Sequence, residues 1–358
     1  MTKPTRVRLR DVAAAAGVSV GTASEALNGV EGVSAATRAS VVEVARRLGY
    51  TPNRSARSLA GRGRRSIGVL ISGPTSMDWL FNPVFMEFFR SIQHVLSQQQ
   101  VELMMEIAAD DVELDRIRWL THEVGVDGLI LIGTRRPDAE LAQLGRALQA
   151  PIVTLVRHPL WPGQPAVSVD NEEIGRMAAD HLLELGHRSV GYIGALPGVG
   201  LAEERIRGFV TRLNEAGAAL PAEHVRPGDY YQQSGQDEME WLLDHTDVTA
   251  VFCGNDMMGL GAIRACLSRG VRVPTDLSVM GCDGIPNLDM MAVPLTTIAL
   301  PASAMGAAAA HLVLQALDTP SMNSRLFSAE LVVNGSTGPV PATRRDITAA
   351  GEHVDPPS

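Results

Sequence analysis

The stretch AAAAGVSVGTASEALNG, residues 13–29, sets two short helical patterns on either side of a three-residue break, Gly17-Val18-Ser19. Upstream, Leu9, Val12, Ala13 and Ala16 recur at helical spacing and predict a helix over 9–16. Ser19 is placed to cap a second helix over 20–28, and Gly29 to stop it. Ser34 is placed to cap a third, in which Val41, Val44, Ala45 and Leu48 face one way before Gly49. A helix–turn–helix needs a small residue where the helices touch, a glycine in the turn and apolar anchors under the second helix, which enters the major groove of DNA. Ala13, Gly17 and the pair Ala23 and Leu27 supply these. Alanine- and glycine-rich helix pairs also occur in ordinary cores, so the pattern alone leaves both readings open.

At 358 residues the chain is long enough for two or three packed units, at roughly 100–200 residues each. Hydrophobic residues make up 45% and charged residues 20%, the balance of a soluble globular protein. No run approaches the ~18 apolar residues of a membrane span, so no membrane partner is expected. Asp11 interrupts the basic N-terminus where a signal core would lie. Cys253, Cys266 and Cys282 fit neither metal-ligand nor disulfide spacing, which suits a reducing cytoplasm. Charge is uneven: residues 1–65 hold twelve Lys/Arg against four Asp/Glu (+8), and the remainder nineteen against thirty-six (−17). A basic head on an acidic body points to a polyanion partner at the head, or to a solvated basic tail.

TPNRSARSLAGRGRRS, residues 51–66, is polar, basic and glycine-flanked and reads as a linker, in which Pro52 can start a short helix through Leu59. Beyond it the texture changes. The apolar runs SIGVLIS, VELMMEI, GLILIG, PIVTLV, AVSVD, SVGYIG, AVFCG and LSVMGCD alternate with longer helical patterns. Near-continuous apolar strands between amphipathic helices predict parallel sheets covered on both faces. So many units exceed one open sheet, which predicts two doubly wound subdomains with a ligand in the cleft at their facing strand carboxyl ends. From about Pro339 the chain is Pro/Gly/Ala-rich and charged, the composition of a disordered tail.

LRDVAAAAGVSVGTASEALNG, followed by VSAATRASVVEVARRLGYTPNRSARSLAGRGRRSIGVL, resembles the N-terminus of the lac repressor (LacI-type) family of bacterial transcription regulators. The resemblance continues through NPVFMEFFRSI, VDGLIL, VDNEEIGRMAADHLLELGHRSVGYIG, ERIRGF, GNDMMGLGAIRA, VPTDLSVMGCDGIPN and PLTTI, roughly residues 9–337. It implies an all-α helix–turn–helix DNA-binding head plus hinge helix. An α/β core of two doubly wound parallel-sheet subdomains follows, like that of periplasmic sugar-binding proteins. The expected divisions are a head over 1–50, a hinge helix and linker over 51–65, a core over 66–340 and a tail over 341–358. Within the core, one subdomain takes about 66–165 and 298–325, the other about 166–297 and 326–340. The family also implies a homodimer on a pseudo-palindromic operator in double-stranded DNA, and no cofactor.

Carried over by residue, the resemblance implies base reading by Val20, Gly21 and Glu25, with Thr22, Ser24 and Asn28 on phosphates, which fix register rather than sequence. Asn53, Arg54 and Arg57 belong to the hinge, and Leu59 matches the apolar wedge that opens the central base step in the minor groove. Family members commonly carry a basic residue where this chain has Glu25. Arginine pairs with guanine, whereas a carboxylate accepts from cytosine N4, so a cytosine opposite Glu25 is expected in each half-site. The plain alternative is a surface ion pair of Glu25 with Arg54 or Arg57.

The same resemblance places a small, sugar-like effector against Arg205, Asn255 and Asp283, with Phe81, Asn82 and Tyr230 beside them and Trp79 as a further stacking surface. Asp256 in GNDMM, and Asp170 and Asn171 in VDNEE, sit at helix starts, where capping is the expected role. The acid usual after the fourth strand is Val156 here, followed by Arg157, and Ile132 and Leu300 stand at positions polar in some sugar-responsive members. The pocket is therefore expected to be less polar than a monosaccharide site, which leaves a partly apolar effector, or an effector-independent regulator, as alternatives. GYIGALPGVG lacks the G-x-G-x-x-G spacing, and His181 and His187 lack a nucleophile or metal partner, so no enzyme pattern is present. The tail has no apolar heptads, so a tetramer-forming coil is not expected.

Overall fold

The computed structural model describes residues 9–27, 33–48, 65–73, 82–109, 111–134, 136–148, 150–194, 200–319 and 323–342. The head consists of α1 (Leu9–Ala16), α2 (Val20–Leu27) and α3 (Ala35–Leu48). Gly17, at φ +66°, ends α1 in the left-handed region that glycine enters without a Cβ penalty. Ser19 Oγ then accepts from the Thr22 amide at 3.0 Å, and Ser34 Oγ from the Thr37 amide at 3.1 Å, so both expected caps form. Val12, Ala13, Ala23, Ala26, Val41, Val44 and Ala45 make the core of the head. The alanines let three short helices approach closely enough to bury one another.

The core chain runs β1 (Ser66–Gly73), α4 (Pro83–Gln98), β2 (Glu102–Ala109), α5 (Glu113–Arg118), β3 (Gly128–Ile132), α6 (Asp138–Ala147), β4 (Ile152–Leu155) and β5 (Ala166–Val169). It continues through α7 (Asn171–Glu184), β6 (Val190–Ile193), α8 (Gly200–Glu215), β7 (Val225–Arg226), α9 (Gln232–His245), β8 (Ala250–Cys253), α10 (Asp256–Ser268) and β9 (Ser278–Asp283). It closes with β10 (Thr296–Ala299), α11 (Ala302–Asp318), β11 (Arg325–Phe327) and β12 (Glu330–Val332). The strands form two sheets, ordered β11-β5-β4-β3-β1-β2 and β12-β10-β9-β8-β6-β7. Every pairing is parallel except β10 with β12.

All eight apolar runs singled out in the sequence are strands. In β1, Ile67, Val69 and Ile71 pack with Phe85, Phe88 and Ile92 on one face, while Leu70 packs with Ile117, Leu120 and Leu129 on the other. That two-sided burial is why the run is apolar throughout rather than alternating. The two- and three-residue strands β7, β11 and β12 carry too few residues for their periodicity to be read.

The passages between the sheets differ from the expected ranges. β5 pairs with β4 and β11 in the first sheet, so the first exchange falls at Asp170, not at 166. All of β10 pairs with β9, so the second falls at Leu300, not at 298, and the third lies between Phe327 and Glu330. A four-residue apolar strand carries no mark of the sheet it joins; its hydrogen-bonded neighbours decide.

Among the described residues no helix is long and apolar enough to cross a membrane. Residues 334–340 are stitched to the second sheet. Ser336 Oγ accepts from the Thr296 amide at 2.8 Å, the Gly338 amide donates to Ser278 Oγ at 3.1 Å, and the Val340 amide donates to the Leu185 carbonyl at 2.9 Å. His181 and His187, unassigned on sequence grounds, hold this strap at Thr337 Oγ1 (2.9 Å) and the Gly338 carbonyl (3.0 Å).

Candidate DNA-reading head and effector cleft

Helix α2 buries Ala23 and Ala26 and turns Val20, Gly21 and Glu25 outward, with Thr22 and Ser24 half-buried beside them. The three expected base readers therefore share one exposed face, and the two phosphate-matching residues flank it. A Cβ on Gly21 would touch only Ser19 Oγ, at an ordinary 3.6 Å, so nothing in the head requires glycine there. Asn28, Asn53, Arg54, Arg57 and Leu59 lie outside the described residues.

The two sheets face each other across a cavity of about 450 Å3. Its lining comes from the start of α4 (Asn82, Val84, Phe85, Phe88), the ends of β3 and β4 (Gly133, Thr134, Val156, Arg157, His158) and the start of α6 (Arg136 to Asp138). Facing them are α8 (Leu201 to Arg205), Tyr230, Asp283 at the end of β9, and Leu300. These are the strand carboxyl ends where open α/β sheets bind ligands.

Arg205 is 8% exposed and is placed by a close helix crossing. A Cβ on Gly175 of α7 would run into the Arg205 carbonyl, and one on Gly208 of α8 into the Glu172 carbonyl, so only glycine lets the two backbones meet. The guanidinium donates to Asn171 Oδ1 at 2.8 Å and to the Gly254 carbonyl. Its buried Nε has no hydrogen-bond partner, nor has the buried Thr134 hydroxyl.

Asn82 joins the two sides. Its Oδ1 accepts from the Val84 amide at 3.1 Å, capping α4, and its side chain stands beside the Asp283 carboxyl. Burial, and then the neighbouring Asp256 carboxylate, push the Asp283 carboxyl well above the usual carboxylate range, against the pull of Arg205 and Asn82. A hydrogen bond crosses the cleft where His158 Nε2 meets Glu204 at 3.0 Å. At the rim, Arg157 grips Asp138 and donates to the Arg136 carbonyl at 2.8 Å.

Three non-glycine residues of the wall have positive φ: Val156 (61°), Tyr230 (72°) and Asp283 (127°). Such backbone is costly, above all for a β-branched valine, and it collects where the surrounding structure fixes a site.

Of the expected effector contacts, Asn82, Arg205, Tyr230 and Asp283 line the cavity, while Phe81 and Trp79 lie outside the described residues. Asn255 does not line it. Its Oδ1 caps α10 at the Met258 amide (2.9 Å) and its amide donates to the Tyr230 carbonyl (3.0 Å), so it stands behind the wall and holds Tyr230. Asp256 is then no cap. It is fully buried and ties the strand ends together, accepting from Thr297 Oγ1 at 2.6 Å and the Ile285 amide at 2.9 Å.

Asp170 caps α7 as expected, through the Glu173 amide at 3.0 Å, but Asn171 turns inward to orient Arg205. Ile132 belongs to the sheet core, while Leu300 and Val156 face the cavity. Sequence reasoning missed Thr134, His158 and Glu204. The first two lie two and three residues past the ends of β3 and β4, and the strand-end rule would have pointed to them.

The chain matches the family model of bacterial regulatory proteins, lacI family, over residues 8–53, and that of the periplasmic binding protein-like domain over residues 179–337. It is 32% identical over 322 residues to the HTH-type transcriptional repressor PurR of Aliivibrio salmonicida (strain LFI1238), covering 89% of this chain and 95% of that one. Among solved structures it resembles a complex of the transcriptional regulator CelR with cellobiose, with TM-score 0.69, 30% identity and coverage of 92% and 100%. It also resembles the lac repressor dimer bound to operator and the anti-inducer ONPF, with TM-score 0.71, 27% identity and coverage of 93% and 100%. With a helix–turn–helix head and a lined cleft in one chain, and relatives matched along nearly their whole length, the protein belongs to the lacI family of bacterial regulatory proteins.

Proposed function

We propose that the chain is a cytoplasmic repressor, without catalytic activity, that binds a pseudo-palindromic operator as a homodimer and releases or tightens it when a sugar or related metabolite fills the cleft. Val20, Gly21 and Glu25 read bases, Thr22, Ser24 and Asn28 meet phosphates, and the hinge residues Asn53, Arg54, Arg57 and Leu59 enter the minor groove. Arg205, Asp283, Asn82 and Tyr230 hold the effector.

The observation that carries this reading is the apposition of Asn82 and Asp283 at the bottom of a lined cavity, because those side chains come from opposite subdomains. A ligand that contacts both must bind an open and a closed arrangement unequally, which is what shifts a two-state equilibrium. A coupling of about 1–3 kcal/mol between cleft and head changes operator affinity by about 5- to 150-fold. The lac repressor relative, seen as a dimer on operator, and the CelR relative, seen with cellobiose, support the partner and the ligand class.

The test is selection of operator sequences from random DNA by the purified protein, then titration of the selected duplex against a metabolite panel at fixed salt. A palindrome with an easily deformed centre whose binding responds to one compound is the expected result. A selected palindrome indifferent to every compound would leave an effector-independent regulator, and no enrichment at all would remove the reading role of α2.

A further inference from the structure

The chain enters the core at a point held by its backbone. The Arg65 carbonyl accepts from the Glu102 amide at 2.8 Å, the Ser66 amide donates to Asp127 Oδ2 at 2.6 Å, and the Asp127 amide donates to the Ser66 carbonyl at 2.8 Å. None of these bonds uses the side chain at 65. The Arg65 guanidinium does something separate: both of its terminal nitrogens donate to the Asp318 carboxylate, at 3.2 and 2.7 Å, across 253 positions of sequence.

The fold gains little from this pair. Asp318 is the last residue of α11, where the helix carbonyls already concentrate negative charge and an acid is the unfavourable choice. α11 has no basic residue in its last turn to offset it. Arg65 supplies the cation instead, and its hydrogen bond holds the Asp318 carboxyl below the usual carboxylate range. The two side chains are 50% and 64% exposed, so the pair is screened by solvent and adds little stability.

Arg65 is also the last member of a basic run, Arg62, Arg64 and Arg65, on the chain that leads to the head. Arg62 and Arg64 lie outside the described residues. Even fully extended, the six residues from Leu59 keep Arg65 within about 22 Å of the side chain proposed to enter the minor groove. A carboxylate and a phosphate offer a guanidinium the same two-oxygen fork. An exposed ion pair is weak enough for a phosphate to replace the carboxylate.

We infer that Arg65 is a further DNA-binding residue and that Asp318 is an internal substitute for phosphate that holds it back. Off DNA the guanidinium sits on Asp318; on DNA it exchanges to the phosphate backbone. This rests on the reading of the chain as a DNA-binding regulator. Part of what Arg65 contributes to binding is lost in breaking the pair. Phosphate contacts carry no sequence information, so Asp318 lowers adhesion to DNA of any sequence.

The experiment measures binding of the full-length protein to a duplex of random sequence by fluorescence anisotropy, between about 50 and 200 mM salt. Asp318→Asn is expected to tighten binding about two- to fivefold, the range set by the strength of an exposed pair. It is also expected to steepen the fall of log K with log salt by about 0.9 for each Arg65 that moves onto a phosphate. The double variant Arg65→Gln with Asp318→Asn is expected to bind as Arg65→Gln does alone. Asp318→Glu keeps the charge and is expected to bind as wild type. Melting curves check that each variant is folded.

Unchanged or weaker binding by Asp318→Asn would overturn the inference and leave the DNA-binding reading standing. Tightening that persists when Arg65 is also replaced would overturn it too, because the acid would then repel DNA without acting through Arg65. Tightening by Asp318→Glu equal to that by Asp318→Asn would count against it in the same way. If the wild type binds no duplex at any of these salt concentrations, the DNA-binding reading falls together with the inference.

Discussion

One side-chain amide serves both halves of the cleft: Asn82 caps α4 with its oxygen at the Val84 amide, 3.1 Å away, and stands beside Asp283 across the cavity, where it favours the ionised carboxylate. The two roles separate by substitution. Asn82→Ser keeps a capping oxygen and is expected to cost only a few tenths of a kcal/mol, while Asn82→Ala loses the cap and costs about 0.5–2 kcal/mol. Both lose the amide beside Asp283, so both are expected to weaken effector binding alike. Thermal melts set beside ligand titrations would show it; binding in Asn82→Ser that matches wild type would mean the cross-cleft contact is passive.

Asp283 should give the fold a pH dependence of unusual sign for an aspartate. Burial, followed by the Asp256 charge, pushes its carboxyl up to about 8, above the unfolded value of about 3.9. Its contribution to stability is therefore complete below the unfolded value and is lost as pH rises through about 8. Asp283→Asn cannot ionise, so the fall in melting temperature between pH 6 and 9 should flatten in that variant. An unchanged slope would place the titration elsewhere.

The histidines of the C-terminal strap act at the other end of the scale. Burial lowers the pKa of His181, and burial opposed by the Gly338 carbonyl lowers that of His187. Neutral His187 donates from Nε2 to Gly338 and meets Thr249 Oγ1 at 2.9 Å through Nδ1. A histidine with a depressed folded-state value contributes stability that is present above the unfolded value of about 6.5 and is lost as pH falls through the depressed one. Protection factors at Gly338 and Val340, which correct for the slower intrinsic amide exchange at lower pH, should fall between pH 7 and pH 5 more than those in β8. A uniform fall across both would argue against a local release of the strap.

Val156 holds φ +61°, a region that excludes most β-branched residues, while its amide bonds the Val167 carbonyl at 2.8 Å. Asparagine tolerates that region better, so Val156→Asn should relieve part of a strain of about 1–3 kcal/mol and raise the melting temperature. A lower melting temperature would mean that the packing of the valine against the cleft outweighs its backbone cost.

How far such features were legible in the sequence depends on what kind of signal they leave. The helices of the head follow from Ser19, Gly17 and Ser34, which act within a few residues of themselves, so their reading needs no tertiary information. The long strands follow from burial on two faces. What the sequence does not carry is which of two adjacent polar residues turns inward. Asp170 caps while Asn171 reaches Arg205, and Asn255 caps while Asp256 is buried against Thr297. Both choices are made by residues more than thirty positions away. The departures Val156 and Leu300 were visible as letters, but only the folded cavity shows that they face one ligand volume while Ile132 does not.

Glu25 offers the sharpest test of the head. It stands exposed on α2, on the face shared with Val20 and Gly21. A carboxylate there accepts from cytosine N4 and repels phosphate, whereas an arginine donates to guanine O6 and N7. Glu25→Arg should therefore exchange the preferred base opposite this position from cytosine to guanine in both half-sites, by about 1–3 kcal/mol of discrimination. It should also strengthen non-specific binding and steepen its salt dependence, because the local charge changes from repulsive to attractive. Gly21→Ala is the control for helix stability. It adds about 0.8–1 kcal/mol of helix propensity where the added Cβ meets only Ser19 Oγ at 3.6 Å, without introducing a charge. If operator selection with Glu25→Arg returns the wild-type consensus while salt dependence alone changes, Glu25 acts as a screening charge and the bases are read by Val20 and its neighbours.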